Sequence, residues 1–207
     1  MFIGGNVNLT GNSNSNLDTS YQSDFSTTTF IFAPNIGYFV ADNFAIGANI
    51  NLGASSLVQN NENKSTTASL PSKFTNKTTT LSYGLGGFAR YYIDISEKLK
   101  FFIKGGINYS YSIHNRKDSN NDPNDVNNAN SSPYMDAQTN SISLLCNPGF
   151  VYFIGPKLGI ETNFGNISYA YSSSTNKSLP YDNKITSHNY SLNVNPSSFC
   201  LGLNYYF

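Results

Sequence analysis

The chain has 207 residues, a formal net charge of zero and only 12% charged residues. A length of this order is ordinary for one domain, so we expect a single domain over residues 1–207. The sparse and balanced charge argues against nucleic-acid binding through a basic face. The mean hydropathy is -0.33, and no stretch approaches the roughly 18 unbroken apolar residues of a transmembrane helix, which excludes a helical membrane protein.

The chain opens with Met1-Phe2-Ile3-Gly4-Gly5, which already belongs to an alternating pattern. It lacks the charged and apolar regions of a signal peptide, so we expect an exported protein to be in its mature form, without its signal peptide. Alternation of apolar and polar residues recurs from end to end, and no segment has helical spacing. The pattern predicts an all-β protein.

Eight segments carry this alternation. In the third, Phe44 and Ile46 alternate with Ala45 and Gly47, so that one face is apolar and the other is small or polar. Eight is an even number, as bacterial membrane barrels require. The predicted strands lie at about 1–9, 28–40, 44–54, 79–93, 99–113, 140–154, 158–171 and 187–207.

The connections between these strands alternate in length. Short ones lie at 41–43, 94–98 and 155–157. Long ones, rich in Asn, Ser and Thr, lie at about 10–27, 55–78, 114–139 and 172–186. This asymmetry predicts an antiparallel, eight-stranded, up-and-down transmembrane β-barrel with three short periplasmic turns and four long extracellular loops.

Two of the predicted strands do not alternate cleanly. The parity of Leu192 disagrees with that of Leu201, and Pro196 between them would interrupt a ladder, which predicts a bulge. Likewise, Ile167 is out of phase with Leu158, and Asn166 marks the predicted slip.

Alternation alone fits both a membrane barrel, apolar outside, and a soluble lipocalin-like barrel, apolar inside. An eight-stranded barrel has room inside for Gly, Ser, Asn and Ala, and the large apolar set would overfill it. Aromatic residues also crowd beside the short turns, where an interfacial girdle belongs. The predicted girdle is Tyr38, Phe44, Tyr91, Phe101, Tyr152 and Tyr205, with Phe39, Tyr92, Phe102, Phe153 and Tyr206 in the same clusters.

The last nine residues carry alternate apolar side chains up to a terminal phenylalanine, through Leu203, Tyr205 and Phe207. This end resembles the C-terminal signature strand of outer-membrane proteins, which implies that these three residues act as a signal to the barrel-assembly machinery. The segment 34–47, Pro-Asn-Ile-Gly-Tyr-Phe-Val-Ala-Asp-Asn-Phe-Ala-Ile-Gly, resembles the second-hairpin motif of the small outer-membrane barrel family. That family is often labelled porin-like, is frequent in Bacteroidota and is similar to OmpX, the OmpA barrel and the opacity-type adhesins. The resemblance implies a bacterial outer-membrane location, among lipid and lipopolysaccharide.

Three charged residues, Arg90, Lys104 and Glu161, fall on the inward parity, and Lys100 lies nearer the rim of the short turns. A charge in a narrow lumen needs a partner. We therefore predict a structural ion-pair network in which Glu161 pairs with Arg90 or Lys104, and we prefer it to a conducting or gating role.

The segment Asp118–Asp125 places side-chain oxygens at alternate positions, as calcium loops do. Pro123 and Ala129 stand where such a loop needs glycine and glutamate, so a solvated loop is the favoured interpretation. We expect no metal and no cofactor.

His114 and His188 lie at loop–strand junctions near many serines, but no acid is positioned to orient either histidine, so we expect no enzyme. Cys146 and Cys200 fall on strands separated by another strand, which predicts two unpaired thiols.

The sequence thus favours a non-enzymatic outer-membrane barrel whose polar loops serve a structural, adhesive or interaction role toward host surfaces or other outer-membrane proteins. The alternatives are a narrow porin-like channel, a lipid-modifying enzyme centred on His114 or His188, a component of a larger outer-membrane complex, and a soluble ligand-filled barrel.

Overall fold

A computed structural model describes residues 1–17, 21–63, 72–120, 135–176, 183–193 and 200–207. The predicted bulge at Pro196 and the side chains of Asp118–Asp125 and Cys200 lie outside this description. In the described residues the chain forms strands and short turns, and none of it forms an apolar helix of the length that a membrane crossing needs.

The described residues form one sheet of ten antiparallel strands. They are β1 (Phe2–Leu17), β2 (Tyr21–Ala41), β3 (Phe44–Asn63), β4 (Ser72–Asp94), β5 (Leu99–Asn120), β6 (Met135–Phe153), β7 (Leu158–Asn163), β8 (Asn166–Asn176), β9 (Asn183–Asn193) and β10 (Cys200–Tyr206).

Eight of these strands close into a ring. The sheet order is β5-β4-β3-β2-β1-β10-β7-β6-β8-β9, and an additional pairing of β5 with β6 completes the circle. β8 continues beside β6 beyond the end of β7, and β9 pairs with β8. The predicted count of eight therefore differs from the observed ten because the segment 158–171 spans β7 and β8, and 187–207 spans β9 and β10.

The break between β7 and β8 changes the register against β6. Asn163 faces Gly149, whereas Ile167 faces Cys146, which is a shift of one residue. Because of this shift, the outward apolar residues have even numbers before the break, as in Leu158 and Ile160, and odd numbers after it, as in Ile167. A β-bulge has the same effect on a strand. The slip predicted at Asn166 lies directly after this break.

Three short turns lie at one end of the barrel. They comprise Asp42–Asn43, Ile95–Lys98 and Ile154–Lys157. Asn43 has φ of 60°, a left-handed conformation that asparagine tolerates better than most residues.

At the opposite end the strands run much further than predicted. β1 continues to Leu17 and β3 to Asn63, through much of the segments 10–27 and 55–78 for which the composition predicts loops. Residues 9–16 of β1 are exposed on both faces, and residues 58–62 of β3 are half-buried on both faces. Strand ends with polar side chains on both faces lack the alternation that identifies a strand with one apolar face, so the sequence pattern does not distinguish them from loops.

The two faces of the ring differ sharply in polarity and exposure. Large apolar side chains point outward, for example Leu85, which is 63% exposed. The buried apolar side chains point inward and gather next to the short turns, among them Phe102, which is fully buried.

Candidate functional site

Seven aromatic side chains and one valine fill the lumen at the short-turn end. We call this group the lumen plug, and it consists of Phe2, Phe39, Phe88, Tyr92, Phe102, Val151, Phe153 and Tyr206. Ring centroids lie 5.4 Å apart for Phe2 and Tyr206 and 5.0 Å apart for Phe153 and Tyr206. Neighbouring rings at such distances contribute about 0.5–1.5 kcal/mol each beyond the area that they bury.

The plug divides the aromatic clusters predicted beside the short turns. Their inward members, Phe39, Tyr92, Phe102, Phe153 and Tyr206, belong to the plug and not to a girdle. Parity could have identified them, because Tyr92 and Phe102 share the inward parity of Arg90 and Lys104.

Glycines on neighbouring strands make room for the plug. A Cβ atom built on Gly37 would lie 2.3 Å from the Phe2 ring, and one on Gly149 would lie 2.4 Å from the Phe102 ring. Both distances are shorter than any van der Waals contact. The rings therefore occupy the space that a side chain at these positions would need.

An ion pair lies against the plug. Arg90 Nη1 donates to Glu161 Oε2 at 2.6 Å, and the two side chains are 1% and 7% exposed. Asn204 Nδ2 donates to the same Glu161 oxygen. The Arg90 guanidinium also lies 4.4 Å from the centroid of the Phe102 ring, a cation–π distance. The pair is thus enclosed by partners for both charges.

Lys104 lies apart from this pair. Arg90 pairs with Glu161, and Lys100 pairs with Asp94 at the rim. Lys104 instead places its Nζ 4.4 Å from the centroid of the Phe88 ring. The structure thus brings together two of the three predicted members of the lumen network.

A polar cavity of about 140 Å³ lies in the lumen beside the plug. Lys104 and Glu161 line it, and so do asparagines from several strands. The amide oxygens of Asn35, Asn147 and Asn163 are buried without a hydrogen-bond partner. The asparagines that line the cavity are Asn6, Asn35, Asn49, Asn51, Asn108, Asn147 and Asn163. Sequence patterns did not reveal this cavity, although all these asparagines occupy inward positions.

The second ion pair lies in the open, at the rim. Lys100 Nζ is 2.7 Å from Asp94 Oδ1, and Asn43 donates to the other Asp94 oxygen at 3.4 Å. The hydrogen bond from Lys100 holds the pKa of Asp94 below its usual value. Water surrounds this pair, so it contributes little to stability.

The six predicted girdle residues all lie on the outer face near the short turns. Tyr38, Tyr91, Tyr152 and Tyr205 are exposed, and Phe44 and Phe101 are half-buried. Phe101 packs against Phe150 with 5.5 Å between ring centroids. These rings form a band around one end of the barrel.

The two histidines contact hydroxyl groups. His114 Nδ1 lies 2.9 Å from Thr80 Oγ1, its Nε2 lies 3.2 Å from Thr139 Oγ1, and His188 Nδ1 lies 2.9 Å from the Tyr169 hydroxyl. The described residues contain no ion pair of a histidine with a carboxylate and no cluster of three metal-binding side chains. That the chain has no enzymatic activity remains a prediction.

The remaining predicted residues lie on the surface or at half depth. Leu203, Tyr205 and Phe207 are exposed on the outer side of the last strand, and the Phe207 amide donates to the Met1 carbonyl oxygen at 2.9 Å. Cys146 is a free, half-buried thiol.

The sequence matches no protein-family model and no curated protein. Several solved structures are similar to this chain at a distance, and two of them serve as examples. The crystal structure of Neisserial surface protein A has a TM-score of 0.40 and 14% identity, over 100% of this chain and 96% of that chain. A major outer membrane protein from Thermus thermophilus has a TM-score of 0.39 and 10% identity, over 99% of this chain and 98% of that chain. Likeness at this level does not assign the chain to a family.

Proposed function

We propose that this protein is a non-enzymatic β-barrel of a bacterial outer membrane that presents polar strand ends to the outside of the cell. The observation that carries the proposal is the outer face of the ring, where large apolar side chains stand exposed on neighbouring strands. Examples are Ile46, Leu85, Ile107 and Leu203. An apolar surface that encircles a protein needs an apolar solvent.

The height of this surface fits a lipid bilayer. On β4 the exposed apolar positions run from Leu81 to Ile93. At about 3.3 Å per residue this run is about 40 Å long, or about 30 Å along the axis at a tilt of about 40°. The hydrocarbon core of a bilayer is about 30 Å thick. The outward aromatic band at the short-turn end adds the residues that favour the boundary between lipid and water.

The closed ring supports the same conclusion. In lipid, each backbone N–H and C=O group needs a partner within the protein, and near the short turns the ring gives each of its eight strands a neighbour on both sides. The ring closes through the pairing of β1 with β10, from Phe2 with Tyr206 to Asn6 with Gly202. This closure lies at the level of the aromatic band.

The long ends of the strands suit contact with other molecules. By analogy with outer-membrane barrels, the short turns face the periplasm and the longer hairpins face outward. In β1 and β2 these ends carry Ser, Thr and Asn side chains, such as Ser13 opposite Ser26 and Thr10 opposite Thr29. Such groups bind polar partners, including host surfaces, lipopolysaccharide and other outer-membrane proteins.

The plug argues against the narrow channel. Phe2, Tyr92 and Phe102 are buried in the lumen, and the Arg90–Glu161 pair lies against them. An eight-stranded barrel has just enough room for its own inward side chains. We therefore expect no steady ion conductance.

The test is electrophoresis of the purified protein in SDS, with and without boiling, after refolding into lipid vesicles. A closed barrel resists SDS until it is heated, so the unboiled band should run ahead of the boiled one. A protein that stays soluble without detergent and shows no such shift contradicts the proposal. Bilayer recordings on the same preparation should show a baseline without steps, and regular steps would favour the channel instead.

A further inference from the structure

We propose that the lumen cavity binds one small monovalent anion, such as chloride, next to the Lys104 ammonium group. The proposal starts from the charges in the middle of the barrel. Arg90, Lys104 and Glu161 lie at the plug and the cavity, and Arg90 is paired with Glu161 at 2.6 Å. One positive charge, that of Lys104, is left without an anionic partner among the described side chains.

The surroundings of Lys104 raise the cost of that charge. Its side chain is half-buried in the lumen, and its Nζ lies 4.4 Å from the centroid of the Phe88 ring. A ring face offsets only part of what an ammonium group loses on leaving water. An anion in the adjoining cavity would neutralise the group directly.

The cavity has the right size and lining for such a ligand. Its volume of about 140 Å³ corresponds to about five water molecules at their volume in the liquid, which suffices for a halide ion with part of its hydration shell. Asparagine amides supply N–H donors without adding charge. The amide oxygens of Asn35, Asn147 and Asn163 lie without a partner at the cavity. Rotation of an amide by 180° exchanges its oxygen and its NH₂ group, so each of these side chains can present an N–H donor there.

Charge balance selects a monovalent anion over other ions. A cation would lie near Lys104 and Arg90, and the Glu161 carboxylate is already bound by Arg90 and Asn204. Arg90, Lys104 and Glu161 together carry one net positive charge, which a monovalent anion would neutralise. A divalent anion would leave a net negative charge in the same confined space. The polar lumen beyond the cavity, where Ser82 and Ser112 face each other at 2.8 Å, offers a route of entry from the end opposite the plug.

The experiment is a chloride titration of the refolded protein in detergent, followed by the line width of the ³⁵Cl NMR signal. Wild type should broaden the signal with a saturable dependence on chloride. Lys104→Met should weaken the saturable binding by about tenfold or more, because it removes the charged donor. Lys100→Met is the matched control, since its ammonium group lies at the rim and is paired with Asp94, and it should bind chloride as wild type does.

Three results would overturn the proposal: no saturable broadening in wild type, equal broadening by Lys104→Met, or displacement of chloride by sulfate at equal concentration. Lys104→Arg keeps the charge and should retain binding, which covers the case in which Lys104→Met does not fold. The heat-dependent change in gel migration tests the barrel independently of the anion site. If wild type shows that change but no saturable broadening of the ³⁵Cl line, only the anion site is rejected.

Discussion

The two halves of the barrel are filled in different ways. Next to the short turns, the lumen holds the plug and the Arg90–Glu161 pair, and Phe2, Tyr92 and Phe102 are buried. Beyond the cavity, the lumen holds amide and hydroxyl side chains, and residues 184–193 of β9 are exposed on both faces. The difference indicates that the contacts that stabilise the barrel are concentrated at the turn end.

The largest expected effect comes from breaking the buried pair. Glu161→Gln leaves the Arg90 guanidinium buried without a counter-charge, and the free energy of unfolding should fall by about 3–5 kcal/mol. Urea titration followed by circular dichroism measures this, since the chain has no tryptophan. The matched control is Asp94→Asn, which breaks the exposed rim pair and should leave the unfolding midpoint nearly unchanged.

Replacing both members of the buried pair sharpens the test. Arg90→Met combined with Glu161→Leu removes both charges, so the double variant should be more stable than Glu161→Gln alone. If Glu161→Gln unfolds at the same urea concentration as wild type, the buried pair is not a source of stability.

A smaller loss should follow from filling a glycine position beneath the plug. In Gly149→Ala the new Cβ would lie 2.4 Å from Phe102 and 2.5 Å from the Thr162 carbonyl oxygen. Overpacking of this kind costs about 1–3 kcal/mol, which the same urea titration resolves. Gly105→Ala is the control, because nothing lies within 4 Å of its Cβ position. Equal midpoints for the two variants would show that the plug tolerates the added methyl group.

The smallest effect on stability is expected in the half of the barrel that lies away from the short turns. His114→Ala removes hydrogen bonds to Thr80 and Thr139, and water can replace them in this polar part of the lumen. The unfolding free energy should fall by about 1 kcal/mol or less. A loss as large as that of Glu161→Gln would contradict the division of the barrel into two unequal halves.

Much of the turn end could be predicted from the sequence, because there each strand has one apolar and one small or polar face. That alternation placed Arg90 and Glu161 on the inward side and Tyr91 on the outward side. The aromatic clusters beside the turns do not reveal the plug, because residue type alone does not separate Tyr92 and Phe102, whose positions are inward, from their outward aromatic neighbours.

The far end was harder to predict. Residues 10–17 and 55–63 lie in strands, but their Asn- and Ser-rich composition is the same as that of a loop. A strand with polar side chains on both faces does not alternate in polarity, so periodicity carries no information there. The alternation within single strands also does not predict the cavity beside Lys104, because the cavity depends on how seven asparagines from different strands meet across the lumen.

The most direct test of the outward apolar face uses two adjacent residues in the middle of β5. Ile107 is exposed on the outer face, and Asn108 lines the lumen cavity. Each is changed to cysteine and spin-labelled in a background with Cys146→Ser and Cys200→Ser, and the protein is refolded into lipid vesicles. Collision rates with oxygen, which concentrates in lipid, and with a water-soluble nickel complex are then compared. The membrane barrel predicts a higher ratio of oxygen to nickel collisions at 107 than at 108, whereas a label at 107 that meets the nickel complex freely would contradict it.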